Sequence, residues 1–204
     1  MNLLLLNFKH YWLGVSIYLL VFWLLTGVST AVQAGTLSCS VTASSSCSGT
    51  VIYRLSSSTN AHAELPTQAN TNYNSNVVCC TNVIGLGNSC AGTASTSLKL
   101  SSTTNAHVEQ NTQANFTNNA CISVPSGGSV TVGYQANDCT GFDTTLGSMQ
   151  NATNSHVGDT TAYVTKICAT ASGVPQTISL VFRVTLLALV LCQPCKPDMQ
   201  PVIL

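Results

Sequence analysis

Along most of the chain, apolar and polar residues alternate with a period of two. Val130, Val132 and Tyr134 alternate with Thr131, Gly133 and Gln135, and Leu98 and Leu100 flank Lys99. Val51, Tyr53 and Leu55 alternate with Ile52, Arg54 and Ser56. Successive side chains of an extended strand point to opposite faces, so this pattern predicts strands with one buried face. Between them lie clusters of turn-forming residues such as Gly85-Leu86-Gly87-Asn88 and Pro125-Ser126-Gly127-Gly128. A last alternation, Ile178, Leu180, Phe182 and Val184 against Ser179, Val181, Arg183 and Thr185, predicts a closing strand. We therefore expect an all-β domain over 35–184, a disulfide-stabilised β-sandwich built from three internal repeats. A trefoil-like barrel is the alternative. Residues 185–204, with three prolines and a Cys192-Gln193-Pro194-Cys195 pair, are expected to form a poorly ordered tail.

The repeats are explicit. Residues 55–70 read LSSSTNAHAELPTQAN and residues 100–115 read LSSTTNAHVEQNTQAN, with 12 of 16 positions identical. A weaker third copy sets Thr153-Asn154-Ser155-His156-Val157 against Thr104-Asn105-Ala106-His107-Val108. Spacings of this length indicate tandem supersecondary units. Cys47, Cys90 and Cys139 lead the copies and Cys80, Cys121 and Cys168 close them, so the units run over about 47–80, 90–121 and 139–168. Equivalence between units predicts the disulfides Cys47–Cys80, Cys90–Cys121 and Cys139–Cys168. Cys39–Cys79 completes the set, and adjacent Cys79 and Cys80 are able to exchange roles.

Composition adds the compartment. Ser, Thr and Asn number 24, 26 and 17 of 204 residues, which favours strands and turns over helices. Only 6 acidic and 6 basic residues are present, giving no net charge, which argues against nucleic-acid binding. Ten cysteines suit an exported chain, and crosslinks compensate for small units that bury little apolar surface. At the N-terminus, Lys9 and His10 precede an apolar run from Tyr11 to Val28, followed by Val32-Gln33-Ala34. We read residues 1–34 as a signal peptide cleaved after Ala34. The run is also long enough to span a bilayer, so an uncleaved anchor is the alternative and the only membrane association expected. The expected location is extracellular, secreted or at the cell surface.

Chemistry is sparse. No nucleophile elbow, phosphate loop, zinc-protease helix or dinucleotide fingerprint occurs, so no enzyme activity is expected. His62, His107 and His156 recur at one repeat position, and Glu64 and Glu109 stand two residues after the first two. Residues i and i+2 share a strand face, so a His and a carboxylate could hold a metal, and three such sites could converge on a pseudo-three-fold axis. The simpler reading is one turn made three times, with Asn side chains bonding backbone groups and each Glu pairing with Arg54 or Lys99 of its own unit. On that reading no metal or other cofactor is assigned. Asn115-Phe116-Thr117 and Asn151-Ala152-Thr153 are glycosylation sequons at Asn115 and Asn151.

The units TNAHAELPTQAN, then VVCC and GLGNSC, then TNAHVEQNTQAN, resemble a group of exported proteins from bacterial metagenomes that carry repeated T-N-A-H-x-E motifs and paired cysteines. The resemblance covers about residues 39–170. It implies a secreted or cell-surface protein with internal repeats, and it carries over no functional residue.

The expected function is a structural surface protein, a self-assembling fibre or pilus-like subunit that associates through strand edges. Leu37, Cys39, Val41 and Ala43 alternate with Ser38, Ser40 and Thr42, so Leu37 and Val41 would anchor a strand offered to a neighbour. The alternative is a monomeric adhesin or carbohydrate-binding module that contacts a glycan through Asn, Gln and Tyr side chains.

Overall fold

The structure, a computed structural model, describes residues 31–32, 35–68, 73–174 and 176–177. The chain divides into two compact units, Met1–Val32 with Thr177–Leu204, and Gln33–Gln176. Of the first, Ala31, Val32 and Thr177 are described, and β1 (Ala31–Val32) pairs with β13 (Gln176–Thr177). Most of the expected signal peptide, the closing strand beyond Thr177, and the tail 185–204 lie outside the described residues. Among the described residues no helix is long and apolar enough to cross a membrane.

The second unit is all-β, a disulfide-stabilised sandwich whose layers are three small antiparallel sheets. In the first sheet β2 (Ser38–Thr42), β3 (Thr50–Leu55), β4 (Ala63–Glu64) and β5 (Asn76–Thr81) lie in the order β2-β5-β3-β4. In the second, β6 (Thr93–Leu100), β7 (Val108–Glu109) and β8 (Asn118–Val124) lie in the order β7-β6-β8. In the third, β9 (Ser129–Ala136), β10 (Thr144–Met149), β11 (Val157–Gly158) and β12 (Thr165–Ser172) lie in the order β11-β10-β12-β9.

Each sheet is one repeat. Leu55 faces Ala63, Leu100 faces Val108 and Met149 faces Val157, so the short strand after each His pairs in the same register. Each long strand also bulges at the same place, between Val51 and Tyr53, Thr96 and Leu98, and Thr145 and Gly147. A bulge inserts an extra residue and breaks the strict two-residue alternation. Ile52, read from the pattern as outward-facing, is instead fully buried beside Tyr53. The inward residues of all three repeats, among them Leu55, Leu100, Met149, Val78, Ile122 and Ile167, merge into one core. Burying each large aliphatic side chain contributes about 1.5–3 kcal/mol.

The eight cysteines expected to be paired form four disulfides: Cys39–Cys80, Cys47–Cys79, Cys90–Cys121 and Cys139–Cys168. Two pairings thus differ from the expected Cys47–Cys80 and Cys39–Cys79. The strand register gives the reason. Cys121 faces Thr96 and Cys168 faces Thr145, one residue before each bulge, and in the first repeat that place opposite Val51 belongs to Cys79. The repeat argument holds, but its equivalent cysteine is Cys79. Cys80 faces Cys39 directly across β2 and β5.

The expected free N-terminal strand is also corrected. β2 is paired along its length with β5, Leu37 is buried in the chain's own core, and Val41 packs against that core. Cys39 is tied to Cys80. An apolar strand end finds its nearest hydrophobic surface in its own chain, and β2 stands at the edge of its sheet with β5 on one side.

Candidate metal centre

The site starts from one residue in an unusual conformation. Asn60, Asn105 and Asn154, the Asn of each T-N-A-H or T-N-S-H copy, have φ of 48°, 48° and 44°. Among residues with a side chain, Asn is one of the few that enters this left-handed region at low cost. The turn reverses the chain after each long strand. The Ser56 and Ser101 hydroxyls accept the His62 and His107 amides at 3.0 and 3.1 Å.

After the turn the three repeats close into a ring. Ala61 bridges Val157, Ala63 bridges Ala106, and Val108 bridges Ser155. Each bridge is a reciprocal pair of backbone hydrogen bonds, all six between 2.8 and 3.0 Å. Every unit thus gives the residue before its His to one neighbour and the residue after it to the other. All six bridge residues are buried. Side chains alternate along extended backbone, so the histidine between them is turned to the opposite, outward side. His62, His107 and His156 are each partly exposed.

The three imidazoles meet on this pseudo-three-fold axis. Their ring centroids are 4.8, 5.1 and 4.8 Å apart, and one ligating nitrogen from each lies within 4.8 Å of the others. His62 Nδ1 donates to Asn105 Oδ1 at 2.7 Å, His107 Nδ1 donates to Asn154 Oδ1 at 2.7 Å, and His156 Nδ1 donates to Asn60 Oδ1. The ring is cyclic, since each His is held by the Asn of the next unit. An amide oxygen can only accept, so Nδ1 carries the proton and Nε2 keeps its lone pair.

That tautomer makes one contact chemically informative. His156 Nε2 and His107 Nε2 are 3.2 Å apart. Two lone pairs at that distance repel unless a proton or a cation lies between them. Two nitrogens on one tetrahedral zinc, each about 2.0–2.1 Å from the ion, are about 3.3 Å apart. Partial burial, then the fields of His107 and His62, hold the His156 imidazole below its ordinary pKa, which favours the neutral, ligating form. Fixing each ligand through its second nitrogen is the usual support of a metal-bound histidine.

Sequence reasoning identified the histidines but not their neighbours. It assigned the Asn side chains to backbone groups, whereas they hold the next unit's imidazole. The signal was present in the fixed Asn-x-His spacing of all three copies. Tyr73 Oη and Tyr163 Oη also donate to Asn105 Oδ1 and Asn60 Oδ1, at 3.3 and 3.5 Å.

The carboxylates are not brought into the cluster. Glu64 and Glu109 are fully buried, and a buried carboxylate requires donors. Glu64 accepts from Thr104 Oγ1 at 3.1 Å, and Glu109 accepts from the Asn115 and Phe116 amides and from Asn115 Nδ2 at 2.8–2.9 Å. Each stands opposite the basic residue of its own unit, Arg54 or Lys99. Of the two sequon asparagines, both exposed, Asn115 is thus engaged through the nitrogen that a glycan would occupy.

No family model matches this chain, and neither a curated protein nor a solved structure matches it.

Proposed function

We propose that the protein is an exported, disulfide-stabilised β module that binds one divalent transition-metal ion through His62, His107 and His156. The carrying observation is the convergence of three imidazoles, each with one nitrogen held by an Asn of the neighbouring repeat, with His107 Nε2 and His156 Nε2 3.2 Å apart. Neutral imidazoles suit zinc, copper or nickel rather than calcium or magnesium, and the 3.2 Å between His107 Nε2 and His156 Nε2 matches two nitrogens that share a zinc. Each repeat supplies one ligand, so an ion here ties the three units together at the end where their chains turn. Four disulfides support export, because such bonds persist in oxidising compartments. The fibre-subunit reading drew on low charge, disulfides and strand edges, with a free strand at residues 36–43 as an added feature; β2 is paired with β5 on one side and stands at the edge of its sheet.

The test is equilibrium dialysis of the purified chain against zinc, with metal analysis and thermal unfolding. One zinc per chain is expected, and at 100 times Kd it should add about 2.7 kcal/mol to stability. His107→Ala should weaken binding beyond the roughly 100-fold that follows loss of a supporting partner. Equal zinc uptake by the wild type and a variant lacking all three histidines would overturn the reading.

A further inference from the structure

We propose that the ion at the three-His centre keeps one coordination position open to solvent, and that this position takes a small anion with an oxygen or nitrogen donor, such as a carboxylate. The inference rests on the metal-binding reading and goes beyond it by naming what completes the ion's shell.

Three observations carry it. The first is direction. The bridge residues on either side of each His are buried, so the inner face of the ring is closed by the core and the imidazoles project outward. The second is the ligand count. Among the described residues the cluster comprises three histidines and no Cys, Asp, Glu or further His. Structural zinc sites are closed by four protein ligands, whereas three-ligand sites hold an exchangeable molecule in the fourth place. The third is charge. Three neutral imidazoles leave a divalent ion uncompensated. The described carboxylates are engaged elsewhere: Glu64 with Thr104, Glu109 with Asn115 and Phe116, Asp138 with Thr140, Asp143 with Ala171, and Asp159 with Thr161. An anion from outside balances what the protein does not. The rim, made of Asn60, Asn105, Asn154, Tyr73 and Tyr163, is neutral and hydrogen-bonding, so it neither repels an anion nor substitutes for one.

The experiment uses the full chain loaded with cobalt(II), whose visible absorption reports coordination. Azide and acetate are titrated in, with perchlorate as the non-coordinating control at equal ionic strength. A saturable spectral change with one azide or acetate per cobalt, and none with perchlorate, is the expected result. Cobalt bound one per chain with a spectrum indifferent to both anions would overturn the open position while leaving metal binding intact. A doubling of the sedimenting mass on cobalt addition, with no anion response, would assign the position to a second copy and overturn the anion. Absence of bound cobalt would overturn both readings.

Discussion

The two ends of each repeat obey different rules. At the ring, the three units are close copies: Asn φ angles agree within a few degrees, and the bridge residues Ala61, Ala106 and Ser155 are all small and buried. In the core the equivalent position just after each bulge holds Tyr53, Leu98 and Gly147. These differ widely in volume. A Cβ placed on Gly147 would lie 2.8 Å from the Tyr53 hydroxyl, so the first repeat's large side chain fills the room that the third leaves. The ring must repeat because three backbone bridges and three nitrogens have to close on one axis. The core needs only the right total volume, which units can share unequally.

This contrast can be tested from its largest consequence down. Tyr53→Ala empties space on which the third repeat also depends, and should cost about 3–5 kcal/mol in denaturant unfolding. A loss near 1 kcal/mol would mean that the repeats do not share that volume.

At the ring, Asn105→Gly keeps the left-handed turn and deletes the oxygen that accepts from His62 Nδ1 and from Tyr73 Oη. Zinc affinity should fall about 10–100-fold with little change in unfolding. Asn105→Ala should lose the same affinity and a further 1–2 kcal/mol, roughly, from a side chain that resists positive φ. Equal behaviour of the two variants would show that the turn, not the hydrogen bond, supports the ligand.

Tyr53→Phe is the smaller core test. Among the described residues the buried Tyr53 hydroxyl has no hydrogen-bond partner. Removing it should leave stability unchanged or raise it by about 1 kcal/mol. A marked loss would reveal a partner such as bound water.

The smallest effect is visible only in alkali. Burial, then the field of Tyr134, raises the Tyr53 hydroxyl above its ordinary pKa near 10, and burial raises Tyr134. The folded state therefore holds these protons more tightly than the unfolded chain. Their contribution is fully present below about pH 10 and is lost as pH rises further toward the folded values. Thermal unfolding between pH 8 and 11 should show this fall, and Tyr53→Phe should blunt it.

The sequence by itself determined the β class, the three units, the leading cysteines, the closing cysteines of the second and third units and the recurrence of the histidines. These are local or periodic properties, written in alternation and in 12 identical positions of 16. Tertiary structure decided the rest. Cys79 and Cys80 are neighbours, and only the register opposite Val51 distinguishes them. Leu37 alternates like a free strand, and its burial depends on β5 lying alongside. The His-to-Glu spacing suggests a shared face, but the carboxylates' donors are a hydroxyl from another repeat and amides from a loop beyond the strand. His62 and Asn105 are 43 residues apart and His156 and Asn60 are 96, and no local pattern encodes that they touch. They meet because three bridges close the ring, and ring closure is a property of the three units packed together rather than of any one of them.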